Sequence, residues 1–271
     1  MNPLQAIILG ALQGATEFLP ISSSGHLVLV PWLLGWDQSS LIFDTTVHLG
    51  TLVAVLAYFY REVWSLLIAW LQSLLRRDLS DDQARLAWLI LLGTLPAALL
   101  GYLLQDFFEG LFGQPLRVAF LLIVTGFLLT VAEGVGKRQR TLQSLNSRDA
   151  LTIGLAQACA IAPGISRSGA TISAGLARGL NREEAARLSF LLSTPIIFGT
   201  GIFKLADTFS GGVPTEQWAT LLPAFVASAL TGYFFIRFLM NYLQKHSLRP
   251  FAVYCAGVGI IMAAIAVSGV I

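Results

Sequence analysis

Long uncharged apolar runs, separated by short polar clusters, set the plan of this chain. Residues 86–104 (LAWLILLGTLPAALLGYLL) contain no Asp, Glu, Lys or Arg, and neither do 218–236 or 250–271. Each is close to the roughly 20 residues with which a helix crosses a bilayer. Runs 45–60, 118–132 and 188–203 are shorter and end at charges that can snorkel to the interface. Lipid offers backbone groups no water to bond, so these runs predict six transmembrane helices in an all-α polytopic membrane protein. Two further apolar stretches do not run through. Residues 3–36 break at Pro20 and resume at Gly25, and residues 150–177 break at Pro163-Gly164.

Basic residues sort the connections by side. The 61–85 connection carries Arg61, Arg76, Arg77 and Arg85, and the 134–149 connection carries Lys137, Arg138, Arg140 and Arg148. The 237–250 connection carries Arg237, Lys245 and Arg249, whereas 105–117 has only Arg117 and 207–217 has none. Basic short loops face the cytoplasm, which fixes the direction of each span. The span at 118–132 then ends inside and the span at 188–203 starts inside. The stretch between them, 150–177, makes no net crossing and is predicted to be a re-entrant helix–loop–helix hairpin. Residues 3–36 form a second one, entering from the external face. Irregular backbone at membrane depth must be covered by protein or line a water-filled cavity, so both hairpins belong inside the bundle.

The two breaks also match each other. GALQGATEFLPISSSG at 10–25 aligns without gaps to GLAQACAIAPGISRSG at 154–169. Gly10, Gln13, Ile21, Ser22, Ser24 and Gly25 find the same residue at 154, 157, 165, 166, 168 and 169. The chain therefore divides into 1–149 and 150–271, each a hairpin plus three spans, within one membrane domain. Because the hairpins enter from opposite faces, this is an inverted-topology repeat. Sites in such folds lie near the midplane where the broken helices meet.

Ionisable residues inside membrane segments are costly and usually functional. Glu17 and His26 flank the first break and Arg167 lies in the second. Gln13 and Glu17, four apart, share a helix face. Ser22, Ser23, Ser24 and Gly25 offer hydroxyls and a turn. Ser166, Ser168, Gly169 and Thr171 offer the same beside the Arg167 fork. Hydroxyls, backbone N–H groups at a helix start and a guanidinium make an anion site, well suited to phosphate. Small polar residues in membrane helices also serve close packing. His48 reads most simply as a packing residue, and Asp44 and Lys204 as charges near span ends.

Composition agrees: 55% of residues are hydrophobic and 12% charged, about half the charge of a soluble domain. No basic run points to nucleic acid. The N-terminus lacks the basic region and small-residue cleavage site of a removable signal peptide. Cys159 and Cys255 lie in apolar runs and read as small hydrophobes.

EFLPISSSGH at 17–26 and PGISRSGAT at 163–171 strongly resemble the two signatures of the bacterial undecaprenyl-diphosphate phosphatase family, known for bacitracin resistance. The resemblance spans the whole chain. It implies a hydrolase acting on a diphosphate anhydride, which returns the monophosphate lipid carrier to peptidoglycan synthesis. It also implies a divalent cation, Mg²⁺ or Ca²⁺, a place in the bacterial inner membrane, and a site open to the periplasm. By position, Gln13 and Glu17 match the family's metal-associated (E/Q)xxxE pair. Ser23 and His26 match its first loop, and Ser166, Arg167 and Thr171 its second. Position 13 is Gln, which removes one anionic donor, and position 24 is Ser where Thr is common. The expected catalytic set is Glu17, Ser23, His26 and Arg167, with the nucleophile open between Ser23 and His26. Ser22, Ser24, Gly25, Ser166, Ser168, Gly169 and Thr171 join Arg167 at the phosphates. The competing class is a secondary transporter or flippase of an anionic or prenyl-phosphate lipid, since the anion site serves either purpose. Gly- and Ala-rich spans such as 251–270 could also pair with a second copy in a homodimer.

Overall fold

Asn2 opens the first helix with a capping box: its side chain accepts from the Gln5 N–H, and Gln5 bonds back to the Asn2 N–H. At the matching place in the second half, Asn146 and Asp149 form the same device. In the computed structural model, the chain is described over residues 1–211 and 217–269, apart from the side chains of 109, 112 and 202–211. Among the described residues the regular structure is helical, with one isolated bridge between Arg140 and Leu180.

Helices α1 (Pro3–Phe18) and α2 (Ser23–Leu34) pack against each other as the first hairpin. Then follow α3 (Leu41–Tyr58), α4 (Tyr60–Arg76), α5 (Asp82–Leu103), α6 (Gln105–Phe112) and α7 (Pro115–Val135). The second hairpin is α8 (Ser147–Cys159) with α9 (Arg167–Ala177). The chain continues through α10 (Arg182–Gly211), α11 (Trp218–Leu243) and α12 (Arg249–Ser268).

Five of the expected spans, in α3, α5, α7, α11 and α12, are helices long and apolar enough to cross a membrane. The sixth, 188–203, falls inside the longer α10. Two helices stand where connections were read. In α4 the apolar period Trp64, Leu67, Ile68, Leu71 and Leu75 is plain once the flanking charges are set aside, and that face is exposed. The large apolar side chains on the outside, among them Phe127, Leu230, Phe234 and Val253, are what a lipid solvent requires. Of the connection expected outside, 207–217, residues 212–216 lie outside the described residues.

Small residues set the closest contacts. α1 lies along α11, where a Cβ on Gly10 would sit 2.3 Å from the Ala224 carbonyl oxygen. α8 lies along α5, where a Cβ on Gly154 would sit 2.3 Å from the Gly93 carbonyl oxygen. α7 and α12 approach likewise through Gly126 and Gly259. Three ionic clusters fasten the end that carries the basic loops. Glu133, on α7, accepts two bonds of 2.7 Å from Arg182, one of 2.7 Å from Arg138 and one of 2.8 Å from the Leu248 N–H. Asp149 takes Arg140 at 2.6 Å and Arg178 at 2.5 Å, a pairing that pushes the Arg140 guanidinium further up. Arg187 meets Glu62 at 2.8 Å.

Candidate functional site at the two helix breaks

The breaks are narrower than the polar clusters. The first spans 19–22, so Glu17 ends α1 while Ser23 to His26 form the first turn of α2. The second spans 160–166, with Arg167 opening α9. Each second helix is capped alike. Ser22 Oγ accepts from the Gly25 N–H at 3.2 Å, and Ser166 Oγ accepts from the Gly169 N–H at 3.0 Å. Ser22 holds φ at 71°, a region that disfavours a side chain and costs on the order of 1–3 kcal/mol. Gly164, at φ 100°, lies where a Cβ would meet the Val118 carbonyl oxygen at 2.4 Å.

The two loops touch. Ser168 Oγ donates to the Leu19 carbonyl at 3.2 Å, and a Cβ on Gly25 would lie 3.3 Å from the Gly164 Cα. Neighbouring spans hold each loop at corresponding points. On α7, Thr125 Oγ1 donates to the Gly164 carbonyl at 2.9 Å and accepts from the Ser166 N–H at 3.0 Å. On α12, Cys255 Sγ donates to the Pro20 carbonyl at 3.6 Å.

Glu17 is the centre. It is buried, yet it joins four side chains. Its Oε1 accepts from Arg167 Nη2 at 2.5 Å, which links one half of the chain to the other. Its Oε2 accepts from Gln13 Nε2 at 3.0 Å and from the Ser23 hydroxyl, with His48 Nε2 at 3.9 Å. Two polar atoms in this cluster have no partner: Gln13 Oε1, an acceptor, and Arg167 Nη1, a donor, both buried. Buried polar atoms are rarely left so, and such exceptions point to a missing ion, water or ligand.

A cavity of about 610 Å³ opens beside this cluster. Glu17, Ser22, Ser23, Ser24, Arg167 and His48 supply its polar wall, and Leu27, Leu41, Ile161, Ile165, Ile196 and Ile197 supply apolar wall. Polar groups converging in an apolar hollow are the usual form of a small-molecule site.

Not every expected residue reaches that wall. Ser166, Ser168, Gly169 and Thr171 lie buried behind it. Ser166 and Ser168 share a hydrogen bond of 3.1 Å. Thr171 Oγ1 donates to the Arg167 carbonyl at 2.8 Å and shares a 2.6 Å bond with Ser189 of α10. The Gly25 and Gly169 N–H groups are occupied by their caps. His26 is also set back. Its Nδ1 lies 2.8 Å from the Ser22 carbonyl, which can only accept, so Nδ1 carries the proton. Its Nε2 therefore accepts from the Tyr254 hydroxyl at 2.8 Å, with the two rings stacked at 5.7 Å.

Three residues of this neighbourhood carried no functional signal in the sequence. Tyr254 stands in an uncharged span. His48 and Asp44 read as packing and span-end residues, yet both line the cavity. Their one shared signal was spacing: four apart on α3, they face the same way.

The chain has clear relatives. A model of the family "Bacitracin resistance protein BacA" matches residues 6–261. An undecaprenyl-diphosphatase of Rubrobacter xylanophilus is 49% identical over 265 residues, covering 97% of each chain. One of Pelotomaculum thermopropionicum is 47% identical over 268 residues, covering 98% of each, and one of Thermomicrobium roseum 44% over 270, covering 97% of each.

Proposed function

The chain belongs to the BacA family of bacitracin resistance proteins, and from this premise and the geometry at Glu17 we infer that it hydrolyses undecaprenyl diphosphate. The products are undecaprenyl phosphate and phosphate, so the reaction returns the lipid carrier to peptidoglycan synthesis and lowers sensitivity to bacitracin. The observation that carries the reading is the arrangement of Ser23, Glu17 and Arg167 on one cavity wall, with Arg167 Nη1 still unpartnered.

Arg167 Nη1 takes an oxygen of the terminal phosphate. Ser22 and Ser24 donate beside it at the start of α2, where the helix end favours an anion. Ser166, Ser168, Gly169 and Thr171 hold Arg167 in place from behind. The apolar wall receives the first prenyl units. Ser23 Oγ, already bonded to Glu17, attacks the terminal phosphorus and passes its proton to Glu17. The P–Oγ bond forms as the bridging P–O bond breaks, and the lipid monophosphate leaves. Water then cleaves the phosphoserine, and Glu17 returns a proton to Ser23. Ser23 fits the nucleophile better than His26, whose two ring nitrogens are engaged elsewhere.

Gln13 and Glu17 fit a divalent cation, because Gln13 Oε1 is a buried acceptor without a donor. Bound there, the cation would spread charge developing on the phosphate oxygens. Among the described residues no group of three or more His, Cys, Asp or Glu could cage a metal alone. Such a cation would need further oxygen ligands from outside these two residues, as is usual for Mg²⁺.

The matched capping boxes, the matched glycine contacts and the paired loop anchors support the inverted repeat of 1–149 and 150–271. The basic end, with its three ionic clusters, faces the cytoplasm, and the cavity opens toward the periplasm.

The decisive assay is phosphate release from a long prenyl diphosphate by the purified protein in lipid nanodiscs, with and without chelator. Wild type releases phosphate and the chelator stops it. Arg167→Ala loses at least about 10³-fold, the scale on which an arginine stabilises phosphoryl transfer. No release by wild type, with the lipid instead moved across liposomes, would transfer the assignment to a transporter.

A further inference from the structure

His48 faces Glu17 in a way the proposed reaction does not use. It sits on α3, lines the cavity, and its side chain is about one-third exposed. Its Nδ1 lies 2.7 Å from the Asp44 carbonyl oxygen. That oxygen can only accept, so Nδ1 is a protonated nitrogen and Nε2 is the one left to ligate a cation. Nε2 stands 3.9 Å from Glu17 Oε2. A carboxylate oxygen and a ring nitrogen at this separation can share one cation between them.

The separation suits a metal. Two donor–metal bonds of about 2.1 Å each span such a gap at a wide angle. Gln13 adds a third donor. Its amide lies 3.0 Å from the same Oε2, and its Oε1 has no partner. Turning that amide exchanges N for O with no change of shape, which brings the orphaned oxygen to the same point.

We propose that His48 Nε2 is a ligand of the divalent cation held by Glu17 and Gln13, so that α3 completes a site begun on α1. The proposal rests on the cation-assisted phosphatase reading above. It also explains how the chain manages with Gln at position 13. One anionic donor is absent there, and an imidazole on the neighbouring helix provides a replacement. Replacing an oxygen donor by nitrogen shifts preference away from Mg²⁺ and Ca²⁺ toward Mn²⁺ and Co²⁺.

The test reads the metal directly, apart from turnover. Purified protein in nanodiscs is titrated with Mn²⁺ alone, and bound Mn²⁺ is examined by pulsed electron paramagnetic resonance for coupling to nitrogen. Wild type should show one coupled imidazole nitrogen. The ¹⁴N modulation should be replaced by the ¹⁵N pattern when the protein is made with ¹⁵N-histidine, a control that needs no substitution. In His48→Gln the coupling should vanish and Mn²⁺ affinity should fall about tenfold, with a smaller loss for Mg²⁺. Glu17→Gln should remove Mn²⁺ binding. Wild-type Mn²⁺ without histidine coupling overturns the proposal, and so does wild type that binds no Mn²⁺. Both leave His48 as a polar neighbour of Glu17 on the cavity wall. If histidine-coupled Mn²⁺ is found while no phosphate is released under any condition, the ligand assignment stands and the phosphatase reading fails.

Discussion

At the scale of single residues, the proposed chemistry turns on which of two neighbours attacks. Ser23 is on the cavity wall and bonded to Glu17, while His26 is stacked on Tyr254 and holds the Ser22 carbonyl. Brief reaction with substrate labelled in its terminal phosphate should leave label on Ser23 that survives acid. Phosphohistidine is destroyed by acid, so a label stable only in base would identify His26 instead. Tyr254→Phe removes one hydrogen bond, worth about 1 kcal/mol, and should slow turnover only about fivefold. A loss as large as that of Ser23→Ala would mean that Tyr254 touches the reacting groups. The sequence was legible here where a residue was out of place for lipid. Glu17, Arg167 and His26 drew notice because charge and imidazole are rare at membrane depth. His48 and Tyr254 did not, because their importance comes from partners 31 and 228 positions away in the chain. The serines in the second signature were legible as a cluster but not in their bonding, since a hydroxyl's choice between ligand and backbone depends on the loop path.

At the scale of helices, glycine contacts and ionic clusters govern assembly. Gly154→Leu would drive a side chain into the Gly93 carbonyl, so α8 and α5 must separate. Overpacking of this kind costs about 1–3 kcal/mol. Thermal unfolding in detergent should shift down, and activity should fall with it because α8 carries the second loop. Glu133→Ala should destabilise more, about 3–5 kcal/mol, by leaving Arg138 and Arg182 without their carboxylate. An unchanged melting temperature for Glu133→Ala would show that these arginines find equivalent partners. Span positions could be read from apolar length, and the hairpins from charge parity. Helix α4 was missed because its arginines made the segment read as a loop, although its apolar spacing is helical. Glu133 was hidden for the opposite reason, as a lone acid near the end of an apolar run whose partners, besides the nearby Arg138, come from α10 and the loop after α11.

For the whole molecule, the orientation of the bundle is the claim most open to experiment. With Cys159 and Cys255 replaced by Ala, a cysteine at Gln143 should react with an impermeant maleimide only after cells are opened. A cysteine at Gln38, which lines the cavity mouth with Ser39, should react in intact cells. The reverse pattern would place the site on the cytoplasmic side and end the periplasmic reading.

The bond between Arg167 and Glu17 gives the resting protein an anion of its own. A phosphate arriving at the free Nη1 shares the guanidinium with that carboxylate, so part of the arginine's charge is already balanced before it binds. The same carboxylate is waiting when the reaction ends. In the proposed cycle inorganic phosphate leaves a guanidinium that Glu17 still holds, so no unpaired cation stays behind. A built-in rival of this kind weakens product as well as substrate, and so favours turnover over retention at a site that must be emptied each cycle.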